Sequence, residues 1–103
     1  MRIAVPAENL SVETRVAVTP ETIKKLAALG AEVMVQAGAG SASGIPDADF
    51  EAAGAKIAHR LSEAVAGAQV VLAVRRPAAA DLAGAAPGAA VIAIVVFMAV
   101  TLL

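Results

Sequence analysis

The segment from Arg2 to Gln36 constrains the fold more than any other, because it writes a strand, a helix and a second strand with both helix ends marked. Arg2–Pro6 is a β-rich run, and Glu32–Gln36 is a second one. Between them, Thr19 suits an N-cap and Pro20 suits the first helical position, where no N–H is needed. Glu21 meets the positive end of the helix dipole. Ile23, Leu26 and Ala27 form an apolar stripe with Lys24 and Lys25 outside it, and Gly30 supplies a left-handed stop. Such a unit places its two strands parallel, with a right-handed crossover expected.

The alternation continues. A loop at Ala37–Gly44 leads to a short helix from Asp47 to Ala53, stopped by Gly54, and then to a strand at Lys56–Ala58. Ser62–Ala66 reads as a helix stopped by Gly67, and Gln69–Val74 as a strongly buried strand ending at Arg75-Arg76-Pro77. A short helix at Ala78–Ala83 and a turn at Pro87-Gly88 precede a last strand, Ala90–Val96. The first strand joins the first helix through a polar loop, Glu8–Thr14, and a short extended piece, Arg15–Val18. Strands alternating with short helices predict an α/β fold: three layers, a mainly parallel sheet flanked by helices. With no repeat and no linker, residues 1–96 read as one domain and 97–103 as an apolar tail.

Composition removes several classes of function. A net charge of −1 leaves no basic footprint for nucleic acid, and two Phe with no Trp or Tyr leave no base-stacking platform. The absence of cysteine excludes a disulfide framework, a thiolate nucleophile and a zinc–thiolate site, and one His excludes a His-rich metal cluster. Neither a nucleic-acid partner nor a metal is expected. The chain opens on a strand rather than a signal peptide, which points to the cytoplasm. From Leu82 to Leu103 there is no charge, yet Gly84, Pro87 and Gly88 break the run below the ~20 apolar residues of a membrane span. A buried parallel strand explains Ala90–Val96, because such strands read as continuous Val/Ile runs. Phe97–Leu103 lies beyond that explanation, and a membrane anchor is its alternative reading. A last strand there also leaves an apolar sheet edge, an aggregation liability.

Few residues offer chemistry. Arg15 falls between the first strand and the first helix, and α/β folds bind ligands outside the carboxyl ends of their strands. A guanidinium there suits a carboxylate or phosphate through paired charge-assisted hydrogen bonds; the alternative is a solvated surface arginine. Arg75 and Arg76 follow a strand, and alternation along an extended strand lets one of the two enter a shared cleft. A solvated edge is their alternative. Gly38-Ala39-Gly40-Ser41-Ala42-Ser43-Gly44 fails as a dinucleotide fingerprint: its third glycine is one residue late, and Ile45-Pro46-Asp47 separates it from the next helix. It reads as a close-packed turn. His59 has no catalytic neighbour, and Asp47, Asp49 and Glu51 read as the solvated face of a short helix. No catalytic residue stands out.

Several segments in order nevertheless resemble one family, which unites alanine dehydrogenase with the alpha subunit of proton-translocating NAD(P) transhydrogenase. They are Ile3-Ala4-Val5-Pro6-Ala7-Glu8, Glu13-Thr14-Arg15-Val16-Ala17-Val18-Thr19-Pro20, Leu29-Gly30-Ala31-Glu32-Val33, Ala37-Gly38-Ala39-Gly40, Ala52-Ala53-Gly54-Ala55 and Val74-Arg75-Arg76-Pro77. The resemblance implies a flavodoxin-like or dehydrogenase N-terminal domain, incomplete here. It also implies that the chain holds only the opening portion of a longer protein whose second, Rossmann-type domain binds NAD(H). In the alanine dehydrogenase branch it implies a substrate-carboxylate role for Arg15, supported by a Lys where this chain has Arg75. Val-x-Arg-Pro is the transhydrogenase form, so that branch is favoured. The family tends to have Lys where Ala7 stands.

For the intact enzyme the resemblance implies NAD(H) and NADP(H) as cofactors, membrane subunits and a homodimer mate as partners, and a place at the inner membrane's surface. For this chain alone it implies no cofactor and no activity. A non-enzymatic, membrane-associated small protein is the reading from a different class.

Overall fold

The computed structural model describes residues 1–9 and 11–93. Its order is β1 (Arg2–Val5), α1 (Pro20–Ala28), β2 (Glu32–Gln36), α2 (Asp47–Ala52), β3 (Lys56–Ala58), α3 (Leu61–Val65), β4 (Val70–Ala73) and β5 (Ala90–Ala93). Short 3-10 turns occupy Ser41–Ser43 and Ala79–Leu82. The five strands form one sheet in the order β3-β2-β1-β4-β5, and every pairing is parallel. The α/β, parallel-sheet fold expected from the sequence is the one formed.

The strand order refines that expectation. A flavodoxin-like sheet runs 2-1-3-4-5, whereas 3-2-1-4-5 is the order of the dinucleotide-binding doubly wound sheet. The chain builds outward from β1 through β2 to β3, then crosses back to place β4 on the other side of β1. The reversal opens a crevice between the carboxyl ends of β1 and β4, where such sheets bind ligands.

Helix ends follow local rules. The Thr19 hydroxyl accepts the Thr22 N–H at 3.2 Å, Pro20 opens α1, and Glu21 and Lys25 lie at the dipole's two ends. Gly30, at φ 89°, closes α1: its N–H reaches Ala27 O and that of Ala31 reaches Leu26 O, at 3.0 and 3.1 Å. Gly54, at φ 111°, closes α2 with the same pair of bonds, from Gly54 to Glu51 O and from Ala55 to Phe50 O. Both are Schellman stops, and glycine adopts the left-handed angle they need without a Cβ penalty.

Alternation along the strands divides the core between two faces. Ile3, Val5, Val33 and Val35 meet Ile23 of α1 and Phe50 of α2 on one side. Ala4 and Val71 meet Val65 and Ala68 on the other. These helix layers on opposite faces of the sheet make the three layers.

Some boundaries move. The expected extended piece Arg15–Val18 joins no strand, and Val74 and Arg75 form a bend after β4 rather than its end. The helix expected at Ala78–Ala83 is a 3-10 turn, because a segment of mostly alanine that short has neither a side-chain cap nor buried residues. β5 is described to Ala93, so the remainder of the Ala90–Val96 strand and the 97–103 tail lie outside the described residues. Val91 and Ile92 of β5 are exposed, at 42% and 59%. Among the described residues, no helix is long and apolar enough to cross a membrane.

Candidate functional site

The chemistry gathers at the β1–β4 crevice. After β1 the chain turns on Asn9, whose carbonyl accepts the N–H groups of Val12 and Glu13 at 3.0 and 2.9 Å. Its side-chain oxygen accepts from Ser11 N and Oγ at 3.1 and 2.6 Å. This turn rolls Glu13 inward until it is 5% exposed, the one buried charged residue among those described. Ser43 fastens the loop's far side by donating to Thr14 O at 2.6 Å.

Glu13 is the centre of an ion cluster. Arg15 approaches it side-on, with Nε donating to Oε2 at 2.7 Å and Nη2 to Oε1 at 3.0 Å, while the Arg15 main-chain N–H adds a third bond at 3.1 Å. From across the crevice, Arg75 Nε donates to Oε1 at 3.1 Å and Arg75 Nη2 to Val12 O at 3.1 Å. Glu8 completes the arrangement by accepting the consecutive main-chain N–H groups of Val74 and Arg75, both at 3.0 Å.

The structure therefore brings together Arg15 and Arg75, the two residues to which the resemblance gives a substrate role. It joins them through a carboxylate that the sequence does not single out. The only signal is the Glu-x-Arg spacing of Glu13 and Arg15, which by itself also describes two solvated neighbours. The arginines open onto different concavities. Arg15 lines one of about 260 Å³ with Leu72, Val74 and Ile92. Arg75 and Arg76 both line another, of about 240 Å³, with Glu8, Asn9 and Asp81. Both arginines follow the end of β4, so the alternation of an extended strand does not govern which way they point. A larger concavity of about 440 Å³ runs beside β5 among Pro77, Leu82 and Val91, with Arg76 as its charged residue, and offers little polar chemistry.

The other sequence candidates lie apart. His59, Asp49 and Glu51 are exposed. Asp47 is half-buried and accepts the Gly38 N–H at 2.9 Å, so it fastens a turn instead of forming a wholly solvated face. The Gly38–Gly44 turn is closed on itself: Ala39, Ser41, Ser43 and Gly44 all donate to carbonyls within or next to it. Among the described residues, no group of three His, Cys, Asp or Glu side chains is placed to hold a metal.

The donors around Glu13 lower its carboxyl from the ordinary 4.5 to about 2, chiefly through the Arg15 side chain and then the Arg15 main chain, against an opposing push from burial. The same pair raises the Arg15 guanidinium. A carboxyl more acidic in the folded state adds stability that is complete above its unfolded value and is lost as pH falls through the folded one. Stability is therefore expected to fall between about pH 4.5 and pH 2 as Glu13 protonates. Thermal unfolding followed across that range, with Glu13→Gln beside the wild type, checks this. The slope should flatten in the variant, and equal slopes would contradict the assignment.

Comparison with known proteins bears on the same residues. Residues 4–101 match the family described as "Alanine dehydrogenase/PNT, N-terminal domain". The chain is similar to the alanine dehydrogenase of Mycobacterium tuberculosis, 44% identical over 81 residues, which cover 79% of this chain and 22% of that protein. It is similar to an NAD(P) transhydrogenase subunit alpha chain of Rhodospirillum rubrum, 47% identical over 81 residues, covering 79% and 21%. The crystal structure of transhydrogenase from Sinorhizobium meliloti superposes with a TM-score of 0.84 at 42% identity, covering 92% of this chain and 28% of that one. The chain thus spans between a fifth and a quarter of the length of these curated relatives. With the sheet, the crevice and the sequence match all in agreement, this chain belongs to the alanine dehydrogenase/PNT N-terminal domain family.

Proposed function

We propose that the chain is the opening portion of an NAD(P) transhydrogenase alpha subunit. In the intact complex, hydride passes from NADH to NADP⁺ with coupled proton movement, alongside membrane subunits and a homodimer mate. The observation that carries this reading is how Arg75 is used. Its Nε, Nη2 and main-chain N–H all go to protein acceptors: Glu13, Val12 and Glu8. A lysine at this position would offer both acceptors a single point charge in place of the two separately placed donors of the planar fork. Arg75 here is a strut between two loops, whereas the alanine dehydrogenase reading needs a cation reserved for substrate.

The nicotinamide cofactors supply the hydride chemistry when bound, and this chain's described residues do not fit their pyrophosphate. The first strand–helix connection, residues 6–19, has no glycine and projects Glu8 and Glu13 into the crevice. A loop without glycine does not bring its backbone close to a pyrophosphate, and the two carboxylates already occupy arginine and main-chain donors there. In the Gly38–Gly44 turn, the N–H groups of Ala39, Ser41, Ser43 and Gly44 are taken by nearby carbonyls and that of Gly38 by Asp47. The isolated chain is accordingly expected not to bind a dinucleotide through its described residues.

The alanine dehydrogenase alternative keeps one observation in its favour: Glu13 takes the Nε side of Arg15, leaving Nη1 without a partner among the described residues and half the side chain exposed beside a concavity. In that reading Arg15 and Arg75 hold a substrate carboxylate.

Chimeras separate the two. Residues 1–93 replace the matching segment in the Rhodospirillum rubrum transhydrogenase chain and in the Mycobacterium tuberculosis alanine dehydrogenase. The transhydrogenase chimera is expected to retain hydride transfer, and the other to lose alanine oxidation by about tenfold or more, the scale of one charged hydrogen bond. The reverse result overturns the proposal. So does saturable micromolar binding of NADH to the isolated chain by calorimetry.

A further inference from the structure

We propose that Glu13 is a positioning residue that aims Arg15, and that Arg75 supports that aim through Glu13. The inference concerns the aim of Arg15 at the crevice, stands on the geometry there, and does not rest on the transhydrogenase reading. Three observations support it.

Glu13 binds Arg15 by the Nε–Nη2 side of the guanidinium, through two nearly parallel bonds of 2.7 and 3.0 Å. A side-on pair fixes the plane of the fork and leaves its opposite edge facing outward, toward the concavity beside β4 and β5. An exposed arginine without such a partner samples many rotamers, so an anion binding to it must first restrict them.

Glu13 is itself over-determined. It is buried, and its carboxylate takes three bonds from Arg15 and one from Arg75, a residue far away in sequence. Arg75 cannot drift, because Glu8 holds its backbone and Val12 holds its guanidinium. The chain of restraint therefore runs from Glu8 to Arg75 to Glu13 to Arg15.

The two arginines line different concavities, yet both donate to the same Glu13 oxygen, Oε1, at 3.0 and 3.1 Å. Arg75 thereby contributes to the preorganisation of Arg15 through a shared atom.

The test reads the Nε–H groups of the ¹⁵N-labelled 103-residue chain by NMR. In the wild type, the Arg15 and Arg75 Nε–H groups are expected to exchange with water about tenfold slower, or more, than that of exposed Arg60. Glu13→Gln should bring Arg15 to the Arg60 rate while the backbone spectrum of the sheet is retained. Glu8→Gln should speed exchange most at Arg75 and to a smaller extent at Arg15, which it reaches only through Arg75 and Glu13. A Glu13→Gln chain that melts earlier yet keeps a slow Arg15 signal would show that Glu13 only fastens the loops, and the proposal fails. If the variant does not fold, the wild type still decides: an Arg15 Nε–H as fast as that of Arg60 overturns the proposal. Neither outcome depends on which chimera is active, so failure here and failure of the functional reading are told apart.

Discussion

Replacing Phe50 by alanine is expected to cost about 3–5 kcal/mol, the loss typical of emptying a buried aromatic site. Phe50 is fully buried and is the largest such side chain among the described residues. It comes from a helix of six residues, far too short to hold itself together in water. The ring joins α2 to Ile23, Val33 and Val35, so its loss frees the helix and hollows one face of the sheet. A domain of this size has about 5–15 kcal/mol in total, so the variant should lose a large part of its stability. Chemical denaturation with circular dichroism measures it. A midpoint shift equivalent to less than about 1 kcal/mol would show that the α2 layer is not needed for folding. Phe50→Leu, which keeps most of the volume, should lose far less.

Gly40→Ala is the second large effect, and it comes from a packing constraint. An added Cβ would lie 2.7 Å from the Ile45 carbonyl oxygen, 2.7 Å from Phe50 Cε2 and 2.9 Å from Ile45 Cβ. A side chain can turn away, but the Ile45 carbonyl belongs to backbone that already accepts the Gly40-turn geometry: its own N–H donates to Gly40 O at 2.9 Å. Overpacking of this kind costs about 1–3 kcal/mol. The double variant Gly40→Ala with Phe50→Leu distinguishes the two obstacles. Relief of the ring contact alone should recover only a fraction of the loss, because the carbonyl contact remains. Full recovery would locate the whole strain in the ring. Gly40 thus serves close approach to α2 and Ile45, while Gly38 and Gly44 supply left-handed backbone at φ 78° and 75°.

That result bears on how a glycine-rich stretch is read. Three glycines after a strand invite a nucleotide-loop reading, and the spacing argument against it, one residue too long, concerns local geometry alone. The structure adds a second reason: most of the turn's donors are taken by neighbouring carbonyls and Asp47, and the space at Gly40 is filled by Ile45 and Phe50. The crevice at β1–β4 gives the same lesson. Its position at the carboxyl ends was legible, and so was the presence of Arg15 there, since a residue between a strand and the helix that follows it has nowhere else to go. That the crevice would be filled by two carboxylates was not legible. Glu8 and Glu13 look like ordinary polar loop residues until the chain returns with Val74 and Arg75 to meet them.

By itself, the sequence determined the elements and their class. Thr19, Pro20, Gly30 and Gly54 act on backbone groups a few residues away, and the strand runs needed only Val, Ile and Ala in succession. Such signals are complete within a short window. Tertiary structure alone decided the strand order 3-2-1-4-5, the burial of Glu13 and the sharing of one carboxylate by two arginines sixty residues apart. Those depend on which distant segments arrive at the same place. A charge's partner and its distance from water are set by that arrival, so Arg15 and Arg75 could be named in advance while the residue that organises them could not.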